Sequence, residues 1–395
     1  MLYPSLDPNE RFRDRRADVR RRKRRRRALL VGVVLLVLAG LVGGMTMARK
    51  SGEKRAVDSS PTVTTLQPAA APKPEPRPLP VEIRGIHVTG ALMTLKGRYA
   101  EYLGYTKHGL NTIELDVKDE GGIVNFIPAG VPLALESGAA RPYYKPRETV
   151  AKAHDKGVYL IGRVVVFQDP VLASHRPDLA VKRPDGSIWA TGEGLAWVNP
   201  YDRRVWDYAV SIAEAAARAG FDEIMLDYVR FPSDGDVASA VYPGRTTQPR
   251  GRLIADFVAY AKRRLDPLGV RVSAAVFGLS ATRDLGIGQR PQWLAVNLDH
   301  VNPMSYPALY GGGELGLASP SREPGETVFR TLADFRSALA DSGSKAQLIP
   351  WVQDWNYSPG MVRQQIEALR LQGAKGYLLW NAAGVYTRSA LAPPA

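Results

Sequence analysis

Three aspartates lie in or just after short apolar runs, where folding could bring acids from separate segments together. Asp116 lies in TIELDVK, Asp227 in EIMLDYVR and Asp354 in IPWVQDW. Two carboxylates flanking a sugar linkage can hydrolyse it: one protonates the leaving oxygen, and the other attacks or activates water. We therefore predict that Asp227 acts as nucleophile or base and Asp354 as acid, with Asp116 tuning the site.

Polar and aromatic residues near these acids form a predicted substrate-binding set. An arginine within an apolar strand needs an anionic partner, so Arg163 is expected to pair with Asp116 or Asp227. Tryptophan and tyrosine rings match the apolar faces of sugars. The predicted substrate-binding residues are His87, Lys118, Arg163, Asp169, Tyr228, Arg230, Tyr306, Trp351, Trp355, Trp380 and Asn381.

Each candidate also has a structural interpretation. Asp354 could cap the following helix, and Asp116 could merely neutralise a nearby cation. The tryptophans, taken singly, are more often core residues than sugar platforms, and His87 could be a hydrogen-bonded core residue. The stretch Asp119-Glu120-Gly121-Gly122 lacks the alternating ligands of a calcium loop and is predicted to be a turn.

The metal-binding residue types give no recognisable motif. The sequence contains no cysteine, which excludes disulfides and thiolate metal sites. No two of its five histidines have the spacing by which one helix or loop holds zinc. We therefore predict neither a metal nor another cofactor. The histidines are His87, His108, His154, His175 and His300.

Short β-rich runs alternate with helix-like stretches from Val81 onward, and several of these stretches end at glycine. Eight such alternations predict a (β/α)8 barrel of the TIM type. An open doubly wound sheet is the alternative, but the first run is followed by no GxGxxG turn. The predicted strands are Arg84–Thr89, Thr112–Lys118, Val158–Phe167, Asp222–Phe231, Val270–Gly278, His300–Tyr306, Gln347–Asp354 and Lys375–Asn381. The predicted helices are Tyr144–Asp155, Arg203–Ala219, Leu253–Leu265, Thr327–Asp341 and Pro359–Leu371.

Alternation along the strands predicts which side chains enter the barrel. The outward face of each strand packs under helices and must be apolar, so the polar side chains of the second strand should point inward. In the fourth strand the same rule sends Met225 and Asp227 inward. The long segments Gln168–Asp202 and Pro232–Arg252 are predicted to be binding loops, because this fold builds its sites after the carboxyl ends of strands.

The first eighty residues predict a membrane tether. Residues 28–48 carry no charge and are long enough to span a bilayer, and the basic block of residues 20–27 should stay cytoplasmic. Residues 1–27 are thus a cytoplasmic tail, residues 49–80 a Pro/Ala/Thr-rich linker, and residues 81–395 a periplasmic or extracellular barrel. A cleaved signal peptide is the alternative, although its apolar region is usually shorter.

The basic character belongs to the N-terminal region. The formal net charge of +14 includes +8 from residues 1–27 and +3 from residues 49–80, which leaves the barrel nearly balanced. A nucleic-acid-binding surface is therefore not indicated. The expected partners are a polysaccharide or cell-wall glycan and the membrane, and the sequence indicates no oligomeric state.

Five motifs together resemble a bacterial family described as a glycosyl hydrolase domain of otherwise unknown function. The most specific motif is FDEIMLDYVRFP; the others are RGIH, DVKD, NPMSYP and PWVQD. The resemblance covers Val81 to Tyr386 and implies a barrel related to amylase-like and chitinase-like glycosidases. It places Asp227 where amylase-like barrels keep their strand-four nucleophile. Two positions earlier, where those enzymes have arginine, this chain has Met225. Asp222 and Asp227 match the first and third acids of the chitinase-like DxxDxDxE pattern, while Met225 and Val229 replace the second acid and the glutamate.

Three functions remain open from the sequence. The first is a membrane-anchored glycoside hydrolase that uses the predicted acids. The second is a non-catalytic glycan-binding barrel, suggested by the valine in place of the chitinase-like glutamate. The third is metal-dependent hydrolysis such as deacetylation, against which the dispersed histidines argue.

Overall fold

The computed structural model describes residues 74–394. The predicted tail, the apolar segment 28–48 and the linker up to residue 73 lie outside the described residues. In the part of the chain that is described, no helix has both the length and the apolar character needed to span a membrane.

A closed parallel barrel forms the centre of the domain. The strands are β1 Ile83–Val88, β2 Thr112–Lys118, β3 Tyr159–Val165, β4 Glu223–Asp227, β5 Arg271–Phe277, β6 His300–Ser305, β7 Gln347–Leu348, β8 Trp351–Gln353 and β9 Gly376–Trp380. Neighbouring strands pair in parallel from β5 through β1 to β9, β8 and β6, and pairing of β5 with β6 closes the cylinder. The predicted barrel is thereby confirmed.

The seventh barrel strand differs from the prediction because it is divided into β7 and β8. Both pieces pair with β6, through Val301–Leu348 and Met304–Trp351. Ile349-Pro350 separates them, and proline has no backbone N–H to donate to a sheet.

Helices surround the barrel. They are α1 Gly90–Met93, α2 Arg98–Leu103, α3 Pro132–Glu136, α4 Pro146–His154, α5 Pro170–His175, α6 Arg203–Ala219, α7 Arg250–Leu265, α8 Pro291–Leu294, α9 Pro324–Ser342 and α10 Pro359–Leu371. Helices α6 and α10 have their predicted bounds. Helix α9 starts three residues earlier than predicted, at a proline, which suits the first turn of a helix. Gly220 ends α6 in the left-handed conformation, with φ of 105°.

Two apolar layers hold the barrel together. The outer layer packs the outward faces of the strands, such as Ile113, Leu115 and Val117, against the helices. The inner layer fills the cylinder with inward side chains that include Ile161, Met225 and Leu378. The predicted inward and outward faces of the second and fourth strands therefore agree with the structure.

Extra loops are concentrated at the carboxyl end of the barrel, which we call the mouth. The long loops that follow β3 and β4 contact each other there: Lys182 forms a bridge with Val241, and Trp189 Nε1 donates to the carbonyl of Asp236 at 2.8 Å. At the opposite end, Leu79 packs against the inner apolar layer. The barrel is thus elaborated at its mouth and sealed by apolar packing at its amino end.

Candidate active site at the mouth of the barrel

Arg163 contacts three carboxylates, two from β2 and the turn after it and one from β4. Its Nε and Nη2 each lie 2.7 Å from Asp227 Oδ2. Its Nη1 lies 2.7 Å from Asp116 Oδ1 and 3.6 Å from Glu120 Oε2. We call these four residues the Arg163 network. Burial acts to lower the pKa of Arg163, but the attraction of Asp227 and Asp116 outweighs it and raises that pKa well above its usual value.

The register of the sheet explains why Arg163 reaches Asp227. Arg163 on β3 pairs with Met225 on β4, and Val165 pairs with Asp227. This register places the guanidinium of Arg163 next to the carboxylate of Asp227. Asp227 Oδ1 accepts a 2.6 Å hydrogen bond from the backbone N–H of Tyr228, whose φ of 48° is unusual for a residue other than glycine. Backbone and guanidinium together fix this carboxylate.

A buried His87–Glu114 pair lies beside the network. His87 Nδ1 and Glu114 Oε2 form a hydrogen bond, and the imidazole is stacked 6.1 Å from Trp380 and edge-on to Trp351 at 5.7 Å. Burial acts to lower the pKa of His87, but Glu114 and Asp116 raise it overall; burial also raises the pKa of Glu114. One proton held between the two side chains satisfies both tendencies.

The same region contains the groups most able to hold a cation. Ligand atoms of His87, Glu114 and Asp116 all lie within 4.8 Å of one another. A metal ion would have to compete with the guanidinium 2.7 Å from Asp116 and with the proton of the His87–Glu114 pair. The donor set therefore fits an internally neutralised group better than a dedicated metal centre.

Three aromatic side chains form a cluster next to Asp227. Tyr306 and Trp355 have ring centroids 5.0 Å apart, and Trp355 and Trp380 have theirs 5.2 Å apart. Trp380 is half-buried, while Tyr306 and Trp355 are buried. Burial raises the pKa of the Tyr306 hydroxyl well above its usual value, and the charge of Asp227 raises it further, so this hydroxyl remains a hydrogen-bond donor. Trp351 is 2% exposed and lies deeper, as a core residue.

Lys118 and Asp169, both predicted to bind substrate, form an ion pair with each other inside the protein. Lys118 is fully buried, 3.0 Å from Asp169, and donates to the carbonyl of Val165 at 2.7 Å. Asp169 also caps α5 by accepting a 2.8 Å hydrogen bond from Leu172 N. Lys118 and Asp169 thus neutralise each other below the surface, and their contact with a substrate stays a prediction.

Asp354 and Asp227 are bonded to different parts of the chain. Both carboxylate oxygens of Asp354 accept hydrogen bonds of 2.7 Å from Thr387, one from its backbone N–H and one from its hydroxyl. Asn381 donates a hydrogen bond to the backbone carbonyl of Asp354. Burial raises the pKa of Asp354 to about 6, partly offset by Thr387. Asp354 thus anchors the C-terminal segment that follows β9.

Glu120 is the functional candidate that the sequence analysis missed. The turn predicted at Asp119–Gly122 is present, because Asp119 accepts hydrogen bonds from the backbone N–H groups of Gly121 and Ile123. That turn leaves Glu120 with a side chain 35% exposed and facing Arg163. Its position two residues after the end of β2, on the face where this fold builds its sites, was the available signal.

Comparison with known proteins identifies the family. Residues 85–386 match the model of a family described as "Putative glycosyl hydrolase domain". The chain belongs to this family. The resemblance inferred from the sequence motifs is therefore confirmed, and the enzyme class of the glycosyl hydrolase domain is glycoside hydrolase.

One solved structure supports the barrel fold. The glycoside hydrolase domain of PgaB (BpsB) from Bordetella bronchiseptica is 13% identical, with a TM-score of 0.58 over 80% of this chain and 100% of that chain; this likeness shows the fold. A hypothetical protein from Ruminiclostridium thermocellum ATCC 27405 is 34% identical over 48% of this chain and 96% of that one, with a TM-score of 0.43. No curated protein matches the chain.

Proposed function

We propose that the barrel hydrolyses glycosidic bonds of a cell-wall or extracellular polysaccharide at its mouth. The supporting observation is the Arg163 network, in which one guanidinium holds three carboxylates from two segments beside an aromatic cluster. Paired carboxylates supply the chemistry of glycoside hydrolysis, and aromatic rings supply contacts to sugar faces.

Asp227 and Glu120 replace Asp227 and Asp354 as the proposed catalytic pair. Asp227 is the nucleophile or base, because its carboxylate is fixed by Arg163 and by Tyr228 N. Glu120 is the acid, because its half-exposed side chain can reach the leaving oxygen of a bound glycan. Asp227 Oδ2 lies 2.7 Å from Nη2 of Arg163, and Glu120 Oε2 lies 3.6 Å from Nη1 of the same guanidinium. Because the two nitrogens belong to one small planar group, the two oxygens are within about 9 Å of each other. That limit includes the spacings of both retaining and inverting enzymes.

The remaining predicted groups position the substrate. The half-buried ring of Trp380, backed by Trp355 and Tyr306, forms the sugar platform. His87 and Asp116 lie below it and set the charge of the site.

The decisive test is turnover by purified full-length protein on a panel of cell-wall and storage polysaccharides, measured as new reducing ends. We expect Asp227→Asn to lower kcat by about 10³-fold or more on any glycan that the wild type cleaves. Asp341→Asn, the same change at an exposed position at the end of α9, is the matched control and should retain wild-type activity. Full turnover by Asp227→Asn would eliminate the mechanism.

A non-catalytic glycan-binding barrel is the second candidate. It is favoured by the burial of Asp116 and Asp227, which are 1% and 6% exposed and already paired with Arg163. Binding of a panel glycan with no new reducing ends, and with equal affinity in Asp227→Asn, would establish it.

The proposal includes a membrane tether. The support is the uncharged segment 28–48 preceded by the basic block 20–27. The full-length protein should remain in the membrane pellet after alkaline extraction, and deletion of residues 28–48 should release it. Extraction of the intact protein into the soluble fraction would contradict the tether.

A further inference from the structure

Arg230 is a buried cation with no acidic partner among residues 74–394. It follows the end of β4 by three residues and is 5% exposed. Within residues 74–394, no carboxylate lies within 4.0 Å of its guanidinium, which donates one 3.0 Å hydrogen bond to the carbonyl of Phe231. Buried arginines are almost always paired, so this guanidinium lacks the partner that its burial calls for.

The two acids whose charges act on Arg230 are Asp227 and Asp234, and neither forms an ion pair with it. Asp227 already presents Oδ2 to Arg163 and Oδ1 to Tyr228 N. Asp234 lies in an exposed part of the following loop. Burial lowers the pKa of Arg230, and the attraction of Tyr228, Asp234 and Asp227 offsets this only in part. Arginine nevertheless remains protonated in proteins, so a full positive charge stays in place.

Aromatic rings hold this charge at the mouth. The Arg230 guanidinium carbon lies 4.9 Å from the ring centroid of Trp197, 4.9 Å from that of Tyr228 and 4.7 Å from that of Phe277. Phe277 ends β5 and Tyr228 follows β4, and both are half-buried at the mouth. Cation–π contacts stabilise the guanidinium without neutralising it, and its planar fork still matches a carboxylate.

We propose that Arg230 forms a subsite for the carboxylate of an acidic sugar in the glycan, such as a uronic acid. This inference rests on the proposed function and adds the charge of the substrate. The acidic sugar would lie on the β4–β5 side of the mouth, because the Arg163 network, with three carboxylates and one arginine, would repel an anion.

The test compares glucuronic acid with its neutral methyl ester, by ligand-observed NMR titration of full-length protein. We expect the acid to bind about tenfold more tightly than the ester, as a charge-assisted hydrogen bond should provide. Arg230→Gln should abolish this preference, and Arg230→Lys should keep part of it. The matched control is Arg290→Gln, since Arg290 lies 5.9 Å from the Trp293 ring but is already paired with Asp284; it should change nothing.

A second measurement covers the case in which Arg230→Gln does not fold. Glucuronate should change the tryptophan fluorescence of the wild type. Trp197→Phe keeps an aromatic face under Arg230, so it should lose much of that response while retaining the affinity. Equal affinity for acid and ester, or a preference that survives in Arg230→Gln, would overturn the subsite. If the protein cleaves a glycan but shows no preference for carboxylates, the subsite is overturned and the proposed hydrolase remains. If Arg230 binds a carboxylate but the protein cleaves no glycan of the panel, the hydrolase is overturned.

Discussion

Two buried histidine–glutamate pairs occupy the same barrel in different surroundings. At the amino end, His300 Nδ1 lies 2.9 Å from Glu223 Oε2, which also accepts a 3.1 Å hydrogen bond from the Tyr159 hydroxyl. Toward the mouth, His87 pairs with Glu114 next to the Arg163 network. In the first pair the glutamate is also bonded to neutral hydroxyl groups, whereas the second pair adjoins three acids that share one arginine.

The pKa directions follow this difference. At the amino end, burial acts to raise the pKa of Glu223, but His300, Ser273 and Tyr159 lower it overall. The ionised form of this glutamate is therefore favoured. Toward the mouth, burial raises the pKa of Glu114. The pKa of the glutamate is therefore lowered in one pair and raised in the other, although the residue types are the same, because their neighbours differ.

The largest effect is expected from removing the cation at the mouth. Arg163→Met would leave Asp116 and Asp227 buried without a partner, which should lower the free energy of unfolding by about 4 kcal/mol and abolish turnover. Arg163→Lys keeps the charge and should recover part of both. Urea denaturation and reducing-end assays measure the two losses, and a stable, active Arg163→Met would refute the importance of the network.

The pair at the amino end should affect stability alone. Glu223→Ala leaves His300 unpaired and opens a cavity, so we expect a loss of about 3 kcal/mol in unfolding free energy. At temperatures where the variant is folded, kcat should stay within about twofold of wild type, because no group at the mouth is changed. A large loss of kcat in fully folded Glu223→Ala would remove the distinction between the two ends.

Removing the proposed acid, Glu120, should lower activity and leave stability nearly unchanged. Glu120→Gln should reduce kcat by about 10²-fold with little change in melting temperature, because the side chain is half-exposed. The exposed Glu136 on α3 provides the control Glu136→Gln, which should match wild type. An unchanged kcat in Glu120→Gln would show that Glu120 is not the acid.

The smallest effect concerns Asp354 and pH. Its pKa is raised to about 6, so its ionisation opposes folding above that pH, and the penalty disappears as the pH falls from about 6 toward 4. Relative to wild type, Asp354→Asn should therefore become less stable by about 2 kcal/mol when the pH is lowered from 7.5 to 4.5. Thermal denaturation at the two pH values measures this, and a pH-independent difference would show that Asp354 is not desolvated.

Most of the fold could be predicted because it depends on local patterns. The inward face of β2 was predicted from the alternation of apolar and polar residues along Ile113–Lys118. The two long loops predicted which end of the barrel forms the mouth. The predicted strand boundaries were less accurate near proline, because Pro350 divides the seventh barrel strand into β7 and β8.

The site was only partly predictable. The strand pattern correctly gave Arg163 acidic partners, but Lys118 and Asp169 proved to neutralise each other, and Asp354 proved to bind Thr387. Those outcomes depend on which segments pass nearby, and Thr387 is 33 residues away along the chain from Asp354.

The sequence by itself determined the barrel, the direction of its side chains and the family, because hydrophobic periodicity and motif spacing are properties of neighbouring residues. Only the tertiary structure decided which charges meet: that Arg163 holds Asp116, Asp227 and Glu120 together, and that in the described part of the chain Arg230 pairs with no acid. Charge pairing depends on distance in space, which is set by the register of the barrel and the path of its loops.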